Sequence, residues 1–453
     1  QTELPDHDPI SVFDWHERSG ALERLTPPWA KLEVLDHSGG IRDGGRITLR
    51  VRGAPTSFTW KLRHGEYQHG RHFRDEQVSG PMKSWVHNHR FFPNGSGGTI
   101  TEDEIEVEPP FGSVGAALGS RFLKQELGRL FRFRYRRLLT DLSRHQGQSD
   151  QPRLTVAITG GSGLVGQALT HFLTTGGHRV IQLVRDKRLV SNDAVFWNPA
   201  TQDIDTDRLA MADAVVHLAG TSIAGGRWTD ARKHSIRESR VKGTELIAQT
   251  MAQLSGGPRT LISASAVGYY GRRGGELLEE DAAPGSGFLT EVCQAWEDAA
   301  KPAERAGVRV VLLRTGLALS PAGGALRQML LPFNMGLGGR LGSGKQYMSW
   351  IDLDDLIGLI HHVLFSDTLS GPVNATAPNP VTNSTFSAAL GRVLGRPTIV
   401  PVPSLAVKAV FGQLGTEALL SGQRVVPRKA IDSGFHFFYE SIEESLQFQL
   451  GCE

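Results

Sequence analysis

The sequence predicts two domains, an α+β domain followed by a doubly wound α/β domain built on a parallel sheet. The first part of the chain carries short segments in which apolar and polar residues alternate, whereas the rest carries β-branched apolar runs between helical stretches. At 453 residues the chain also exceeds the size at which one hydrophobic core keeps growing. We place the domains at residues 1–147 and 154–453, with a linker at 148–153.

The α+β domain is predicted from a sheet pattern followed by a helix pattern. Segments such as "SFTWKLRH", "SWVHNHRFF" and "GGTITEDEIEVE" have the period of two typical of half-buried antiparallel strands. Apolar residues then recur at three- and four-residue steps, which predicts one long helix carrying Leu123, Leu127, Phe131, Tyr135, Leu138 and Leu142. The polar, turn-forming stretch "RHQGQSDQPR" that follows has the composition of a linker.

The α/β domain is predicted from apolar runs that alternate with helical stretches. Strands buried on both faces and separated by helices form parallel sheets with right-handed crossovers. The predicted strands are "LTVAIT", "HRVIQLV", "DAVVHLAG", "TLISASA" and "VRVVLLRTG".

Composition excludes several classes of function. A formal net charge of +2 indicates no particular anionic partner, and two cysteines, Cys293 and Cys452, are too few for a disulfide framework or a cysteine-ligated metal site. No apolar run approaches the roughly 20 residues that span a bilayer, and the N-terminus "QTELPDHDPISVFDW" has no basic-then-apolar leader. We therefore expect a cytoplasmic protein that does not act on membranes.

Two further patterns favour ordinary structural roles. The arginines between Arg129 and Arg137 alternate with the apolar stripe of the predicted helix and are typical of a solvated basic face, so we expect no nucleic-acid partner. No carboxylate or cysteine spacing supports a metal site at the histidines, so none is expected at His64, His69 and His72, or at His87 with His89.

A glycine-rich turn opens the α/β domain in "LTVAITGGSGLVGQAL". Its glycines follow a predicted strand directly and begin a helix, where missing side chains let the backbone approach a dinucleotide pyrophosphate at the helix N-terminus. A turn that binds no ligand is the alternative, and the strand–glycine–helix context favours binding. The expected contacts are Gly160, Ser162, Gly163, Leu164, Val165 and Gly166.

The end of the next strand indicates which dinucleotide is bound. An Asp or Glu there would accept a hydrogen bond from the ribose of NAD, but this chain has "VIQLVRDKR". Arg185, with Lys187 or Arg188 behind it, suits the 2′-phosphate of NADP, and a solvated basic loop is the alternative.

From residue 154 to about 445 the chain resembles the atypical, extended short-chain dehydrogenase/reductases of the epimerase-like YfcH type. The resemblance rests on segments such as "ITGGSGLVGQAL", "RWTDARKHSIRESRVKGT", "ISASAVGYYG" and "MSWIDLDDLIGLI". It implies a Rossmann domain with a smaller C-terminal substrate lobe and NADP(H) as cofactor. By the same resemblance, further cofactor-binding residues are Leu218, Ala219, Gly220, Arg237, Ser263 and Arg314.

The catalytic residues depart from the pattern of this family, which uses a Ser, a Tyr and a Lys. Ser265 stands where the family serine is expected, but Leu289 and Cys293 occupy the Tyr and Lys places. Either Tyr269 or Tyr270 replaces the missing acid, or both tyrosines only line the pocket.

Substrate recognition also departs from the family. Nucleotide-sugar epimerases that resemble this chain clamp a diphosphate with an arginine where Met348 stands here. Arg340 and Lys345 are near enough in sequence to meet a smaller anion, with a solvated loop as the alternative. The sequence leaves the small-molecule substrate unidentified.

Residues 1–147 resemble a helix-grip domain of the START or polyketide-cyclase (SRPBCC) type, on "SVFDWHERSGALERLTPPW" and "FRDEQVSGPMKSWVHNHRF". The resemblance implies a hydrophobic ligand held in an apolar cavity. Candidate lining residues, which equally suit a filled core, are Trp15, Trp29, Trp60, Trp85 and Phe91.

The sequence thus predicts an NADP(H)-binding oxidoreductase or epimerase-like protein that acts on a small carbonyl or alcohol. The alternative is a non-catalytic NADP-dependent sensor, which the missing Tyr–Lys pair favours.

Overall fold

The computed structural model describes residues 1–30, 32–52, 57–110 and 112–452, and of residues 112–120 it describes the backbone alone. These residues form two compact units. The N-terminal unit comprises Gln1–Ser149 with Thr174–Gly177, and the C-terminal unit comprises Asp150–Leu173 with His178–Cys452.

Among its described residues, the N-terminal unit contains one seven-stranded sheet in the order β1-β7-β6-β5-β4-β3-β2. All neighbouring strands are antiparallel, as the alternating segments predict. The strands are β1 Thr2–Leu4, β2 Leu32–Ser38, β3 Arg46–Arg52, β4 Ser57–Gln68, β5 His72–Ser79, β6 Ser84–Pro93 and β7 Thr99–Glu108, and the helices are α1 Pro9–Glu17, α2 Ala21–Leu25 and α3 Gly112–Gln146.

The predicted long helix is confirmed as α3, and its apolar stripe contributes to two clusters. Leu138 and Leu142 pack with Phe13 and other residues of the first cluster. Leu127 packs against the second cluster, which includes Trp85. Burial of this stripe holds α3 in place, because tertiary packing supplies most of the stability of a protein helix.

In the described part of the C-terminal unit, eight strands form a sheet in the order β11-β10-β9-β8-β12-β13-β15-β19. All neighbours are parallel except β10 and β11, which confirms the doubly wound α/β fold. The strands are β8 Thr155–Thr159, β9 Arg179–Val184, β10 Ala194–Asn198, β11 Asp203–Ile204, β12 Ala214–His217, β13 Thr260–Ala266, β15 Arg309–Thr315 and β19 Gly371–Ala375.

The remaining elements of this unit flank the sheet or form smaller ladders. The helices are α4 Leu164–Thr175, α5 Thr206–Leu209, α6 Asp230–Gln253, α7 Phe288–Asp298, α8 Lys301–Arg305, α9 Gly324–Asn334, α10 Leu353–Phe365, α11 Asn383–Leu394, α12 Ser404–Phe411, α13 Arg428–Asp432 and α14 Ile442–Leu450. The short strands are β14 Leu277–Leu278, β16 Leu317–Leu319, β17 Tyr347–Met348, β18 Trp350–Asp352, β20 Val381–Thr382 and β21 Arg424–Val425.

Alternation along the parallel strands fills a separate core on each face of the sheet. Val156 and Ile158 of β8 belong to one cluster with Leu359 of α10, whereas Ala157 belongs to another with Ile247 of α6. Strands covered on both faces read as continuous apolar runs, which is why the sequence showed them clearly. The carboxyl ends of β8, β12 and β13 then meet at one edge, where ligands of open α/β sheets bind.

Candidate functional site

The glycine turn between β8 and α4 is closely packed. Gly160 has φ +72°, and a Cβ there would lie 3.0 Å from the backbone nitrogen of Ala219. A Cβ on Gly166 would lie 2.3 Å from the carbonyl oxygen of Gly160. Ser162 and Gly163 are exposed at the tip. The turn therefore presents bare backbone at the start of a helix, which is the environment that a pyrophosphate requires.

The loop after β12 packs against this turn. The backbone nitrogens of Leu218 and Ala219 donate to the Thr159 hydroxyl at 3.1 and 3.2 Å. Gly220 follows, and a Cβ there would lie 3.3 Å from the guanidinium carbon of Arg240. Leu218–Gly220 thus lie beside the glycine turn, along the edge where the family resemblance places the cofactor.

The three basic residues after β9 have different surroundings. Arg188 pairs with Asp186 at 2.6 Å, and the Lys187 ammonium lies 4.7 Å from the centre of the Phe196 ring. Arg185 is exposed, and no ion pair or hydrogen bond of its side chain is found within the described ranges. Arg185 is therefore the cation available to an incoming phosphate, whereas Arg188 neutralises the Asp186 carboxylate.

A buried ion pair joins β13, α7 and β15. The Arg314 guanidinium contacts both carboxylate oxygens of Glu297 at 2.9 Å, and the Ser265 hydroxyl donates to Glu297 Oε1 at 2.7 Å. Ser265 and Arg314 are register neighbours in the sheet, so the fold places them side by side. The Ser265 hydroxyl therefore orients a buried carboxylate, and its catalytic assignment stays a prediction.

Tyr270 belongs to the same network. Its hydroxyl donates to Asn374 Oδ1 at 2.7 Å and accepts from Arg314 Nη1 at 3.0 Å. Burial raises the pKa of Tyr270 to about 12, although Arg314 and Asn374 act in the opposite direction. The side chain of Tyr270 is fully buried and completes the network, and its catalytic assignment stays a prediction.

Tyr269 has a different environment. Its side chain is partly exposed, and the Arg314 guanidinium carbon lies 3.5 Å from the centre of its ring. Within the described ranges its hydroxyl forms no hydrogen bond. Since Glu297 already neutralises Arg314, the stacked guanidinium mainly fixes the orientation of the ring.

Helix α7 carries no acid–base pair at the places where the family has Tyr and Lys. A Cβ on Gly268 would lie 3.2 Å from Leu289 Cβ and 3.7 Å from Cys293 Sγ, so both residues pack under the turn after β13. The Cys293 thiol donates to the Ala266 carbonyl at 3.6 Å, and burial raises the pKa of Cys293 to about 12. Both residues therefore fill space, and neither can exchange a proton near neutral pH.

Comparison with known families gives three matches along the chain. Residues 5–132 match the family described as polyketide cyclase/dehydrase and lipid transport. Residues 156–374 match the NAD dependent epimerase/dehydratase family, and residues 402–448 match a domain of unknown function.

An epimerase family protein of Mycobacterium bovis is 46% identical over 293 residues, which cover 65% of this chain and 96% of that protein. The chain belongs to the epimerase family. The resemblance to epimerase-like proteins is thus confirmed, and so is the fused polyketide-cyclase-like domain.

Two solved structures of epimerase family proteins are similar to this member. A nucleoside-diphosphate sugar epimerase from Corynebacterium glutamicum is 36% identical with a TM-score of 0.83, and the match covers all of this chain and 90% of that one. Human epimerase family protein SDR39U1, determined with NADPH, is 32% identical with a TM-score of 0.59 over 65% of this chain and 98% of that one. The C-terminal unit thus has the fold of NAD(P)-binding epimerase family proteins.

In this epimerase family member, the role of Arg237 as a cofactor-binding residue stays a prediction. Arg237 is exposed on α6 and has Glu238 at 3.8 Å. Arg240, one turn later, donates to the Thr221 carbonyl at 2.9 Å and stacks on Trp296, with its guanidinium carbon 4.9 Å from the ring centre. The sequence analysis did not name Arg240, although the helical period places it one turn after Arg237 on α6.

Two other polar residues of the site were also missed. Ser263, which is buried on β13, was among the predicted residues. Glu297 and Asn374 are also buried, and they were not predicted. Glu297 lies four residues after Cys293, on the same buried face of α7. A carboxylate on an otherwise apolar helical face indicates a buried polar contact, and this pattern could have identified Glu297 from the sequence. Asn374 lies on β19, which the sequence pattern did not show.

The aromatic residues expected to line a cavity in the N-terminal unit pack against one another. Trp60 and Trp85 meet edge to face at 5.2 Å, Trp29 meets Phe133 at 4.9 Å, and Trp15 and Phe91 belong to one core cluster. The hydrophobic ligand stays a prediction. Among the described residues, none of the helices has both the length and the apolarity to cross a bilayer.

Proposed function

We propose that this protein binds NADP(H) and reduces or oxidises a small carbonyl or alcohol substrate. When bound, the nicotinamide supplies or accepts a hydride. The observation that carries the proposal is the glycine turn, because Gly160 has φ +72° and a Cβ on Gly166 would lie 2.3 Å from the Gly160 carbonyl oxygen, so both positions disfavour a side chain. Such a cradle fits a dinucleotide pyrophosphate.

The preference for NADP over NAD rests on the end of β9. Arg185 is exposed and available, and Asp186 is held by Arg188 at 2.6 Å. The human relative determined with NADPH supports the same preference.

Arg185→Glu is expected to weaken NADPH binding by about 10–100-fold, because it replaces a charge-assisted hydrogen bond worth about 1.5–3 kcal/mol with repulsion. The affinity for NADH, which has no 2′-phosphate, should change by less than about threefold. Calorimetric titration of both cofactors measures the two effects, with Arg179→Glu, at the opposite end of β9, as the control. Equal losses for the two cofactors would contradict the assignment.

We propose Tyr269 as the proton donor to the substrate oxygen. It is partly exposed, its ring is held by Arg314, and its hydroxyl is uncommitted within the described ranges, whereas Tyr270 is fully buried. A proton donor must lie within hydrogen-bond reach of the substrate, and the Tyr270 hydroxyl already donates to Asn374 and accepts from Arg314.

Tyr269→Phe is expected to lower turnover by about 10²–10⁴-fold, the usual contribution of general acid–base catalysis. NADPH affinity should stay within about twofold, because the aromatic ring remains. The assay mixes protein and NADPH with a panel of aldehydes, ketones and quinones and follows the absorbance of the reduced nicotinamide. Tyr67→Phe, in the N-terminal unit, is the control, and an unchanged rate in Tyr269→Phe would remove this residue from the mechanism.

The same assay separates the enzyme from a non-catalytic NADP-dependent sensor. The absence of a Tyr–Lys pair on α7, where Leu289 and Cys293 are packed, favours the sensor. Tight NADPH binding without turnover on any member of the panel would support it, and turnover that depends on Tyr269 would exclude it.

The proposal favours a small substrate over a nucleotide sugar. Met348 lies where an arginine would clamp a diphosphate, and its sulfur accepts from the Asn383 amide at 3.4 Å. Arg340 nearby donates to the Ser343 carbonyl at 2.8 Å and is exposed.

A further inference from the structure

A cluster of histidines and aspartates lies on the buried face of the N-terminal sheet. It consists of Asp75 on β5, His87 and His89 on β6, and Asp103 on β7, and we call it the His–Asp cluster. Relative exposures are 8% for Asp75, 4% for His87 and 5% for His89. The carboxylates are cross-strand neighbours of the histidines, so no spacing along the sequence reveals the group.

The contacts on the two sides of the imidazole rings differ. His87 Nε2 and His89 Nδ1 both lie 2.8 Å from Asp103 Oδ1, which is a normal charge-assisted hydrogen bond. His87 Nδ1 and His89 Nε2 both lie 3.4 Å from Asp75 Oδ2, which makes the His89–Asp75 hydrogen bond long and weak. One side of the cluster is therefore a closed hydrogen-bonded group, and the other is loose.

A cation on the loose side would satisfy the ring nitrogens that face Asp75. Each ring has both nitrogens beside a carboxylate, but a neutral imidazole has one N–H donor and one lone pair. The lone pairs of His87 and His89 therefore face the anionic oxygen of Asp75 unless two further protons or one divalent cation lie between them. Two further protons would place two cationic rings, with their centres 3.7 Å apart, between the two carboxylates, whereas one divalent cation balances the same charge without repulsion between the rings.

A third imidazole lies on the strand next to Asp75. His64 on β4 lies opposite Asp75 in the β4–β5 ladder, and its side chain is 5% exposed. Neither of its ring nitrogens makes a hydrogen bond of normal geometry with the described residues. A buried polar group without a partner is costly, so this ring is an independent indication of a missing ligand.

We propose that Asp75, His87 and His89 bind a divalent first-row transition-metal ion such as Zn²⁺ in the N-terminal unit. One ligand atom of each residue lies within 4.8 Å of the others, so small side-chain movements give metal–ligand bonds of about 2.0–2.2 Å. Imidazole and carboxylate ligands without thiolate suit Zn²⁺, Fe²⁺ or Co²⁺ and disfavour Mg²⁺.

The residues around the proposed ligands fit the same arrangement. The outer nitrogens of both histidines donate to Asp103, which fixes the tautomers that leave the inner nitrogens free to bind a metal. The Tyr135 hydroxyl from α3 donates to the second oxygen of Asp103. Metal-bound histidines almost always donate their other N–H to such a carboxylate.

The test is a titration of the chelator-treated full chain with Co²⁺, whose visible absorption reports bound ligands. One Co²⁺ per chain is expected, displaced by Zn²⁺ and unaffected by Mg²⁺. Asp103→Asn should weaken binding by about 10–100-fold, as expected when a group that orients a ligand is lost. His87→Ala should weaken it further, and His72→Ala, on β5 outside the cluster, is the matched control.

Two results would overturn the proposal. One is a wild-type chain that takes up neither Co²⁺ nor Zn²⁺, which needs no variant to fold. The other is binding lost in His69→Ala and kept in His87→Ala, which would place the ion at the exposed group of Asp14, Glu17 and His69.

Discussion

Arg314→Met is expected to destabilise the C-terminal unit by about 3–5 kcal/mol, the cost of removing one partner of a buried ion pair. The side chains of Arg314 and Glu297 are 3% and 9% exposed, so water cannot solvate the carboxylate that remains. Tyr270 loses a hydrogen-bond donor in the same variant. Denaturant unfolding of wild type and variant measures the difference in the free energy of unfolding.

Two comparisons make this prediction specific. Arg392→Met removes a partner of the exposed Arg392–Glu443 pair, with side chains 58% and 38% exposed, and should cost less than about 1 kcal/mol. Adding Glu297→Leu to Arg314→Met should recover part of the loss, because no buried charge is then left unpaired. Equal losses in Arg314→Met and Arg392→Met would contradict the structural role of the buried network.

Gly166→Ala is expected to weaken NADPH binding by about 100-fold or more, close to 3 kcal/mol. The new methyl group would lie 2.3 Å from the Gly160 carbonyl oxygen and 2.8 Å from the Gly161 Cα. Because both are backbone atoms, the turn itself must open, and its amides then no longer face one position. Calorimetric titration with NADPH measures the loss.

A matched glycine separates this effect from a general one. A Cβ on Gly275, in the same unit, would meet only the Tyr347 side chain at 3.7 Å, an ordinary contact. Gly275→Ala should therefore bind NADPH like the wild type. If Gly166→Ala has the same unfolding transition as the wild type and an unchanged dissociation constant for NADPH, the glycine turn is not part of the cofactor site.

The parallel sheet was largely predictable, because strands buried on both faces read as continuous apolar runs. The five predicted runs became β8, β9, β12, β13 and β15. The antiparallel edge strand β11, of two residues, was missed, and so were the parallel strands β10 and β19. Their segments, "AVFWN" and "GPVNA", are short and carry polar or turn-forming residues that weaken the pattern.

The candidate site was predictable only where one local segment carries the signal. The glycine turn is of this kind, since strand, turn and helix follow one another in the chain, whereas the role of Arg185 stays a prediction. The roles of Ser265 and Tyr270 were not, because their partners Glu297, Arg314 and Asn374 lie between 32 and 104 residues away along the chain.

By itself the sequence determined the order of strands and helices and the bare backbone of the glycine turn, since both depend on neighbours a few residues apart. Tertiary structure alone decided which polar side chains are buried in a hydrogen-bonded network, as with Tyr270. It also decided which polar side chains lie close together, as in the His–Asp cluster. The physical reason is that pairing across strands sets the distances between side chains, and with them the burial and charge balance of each group.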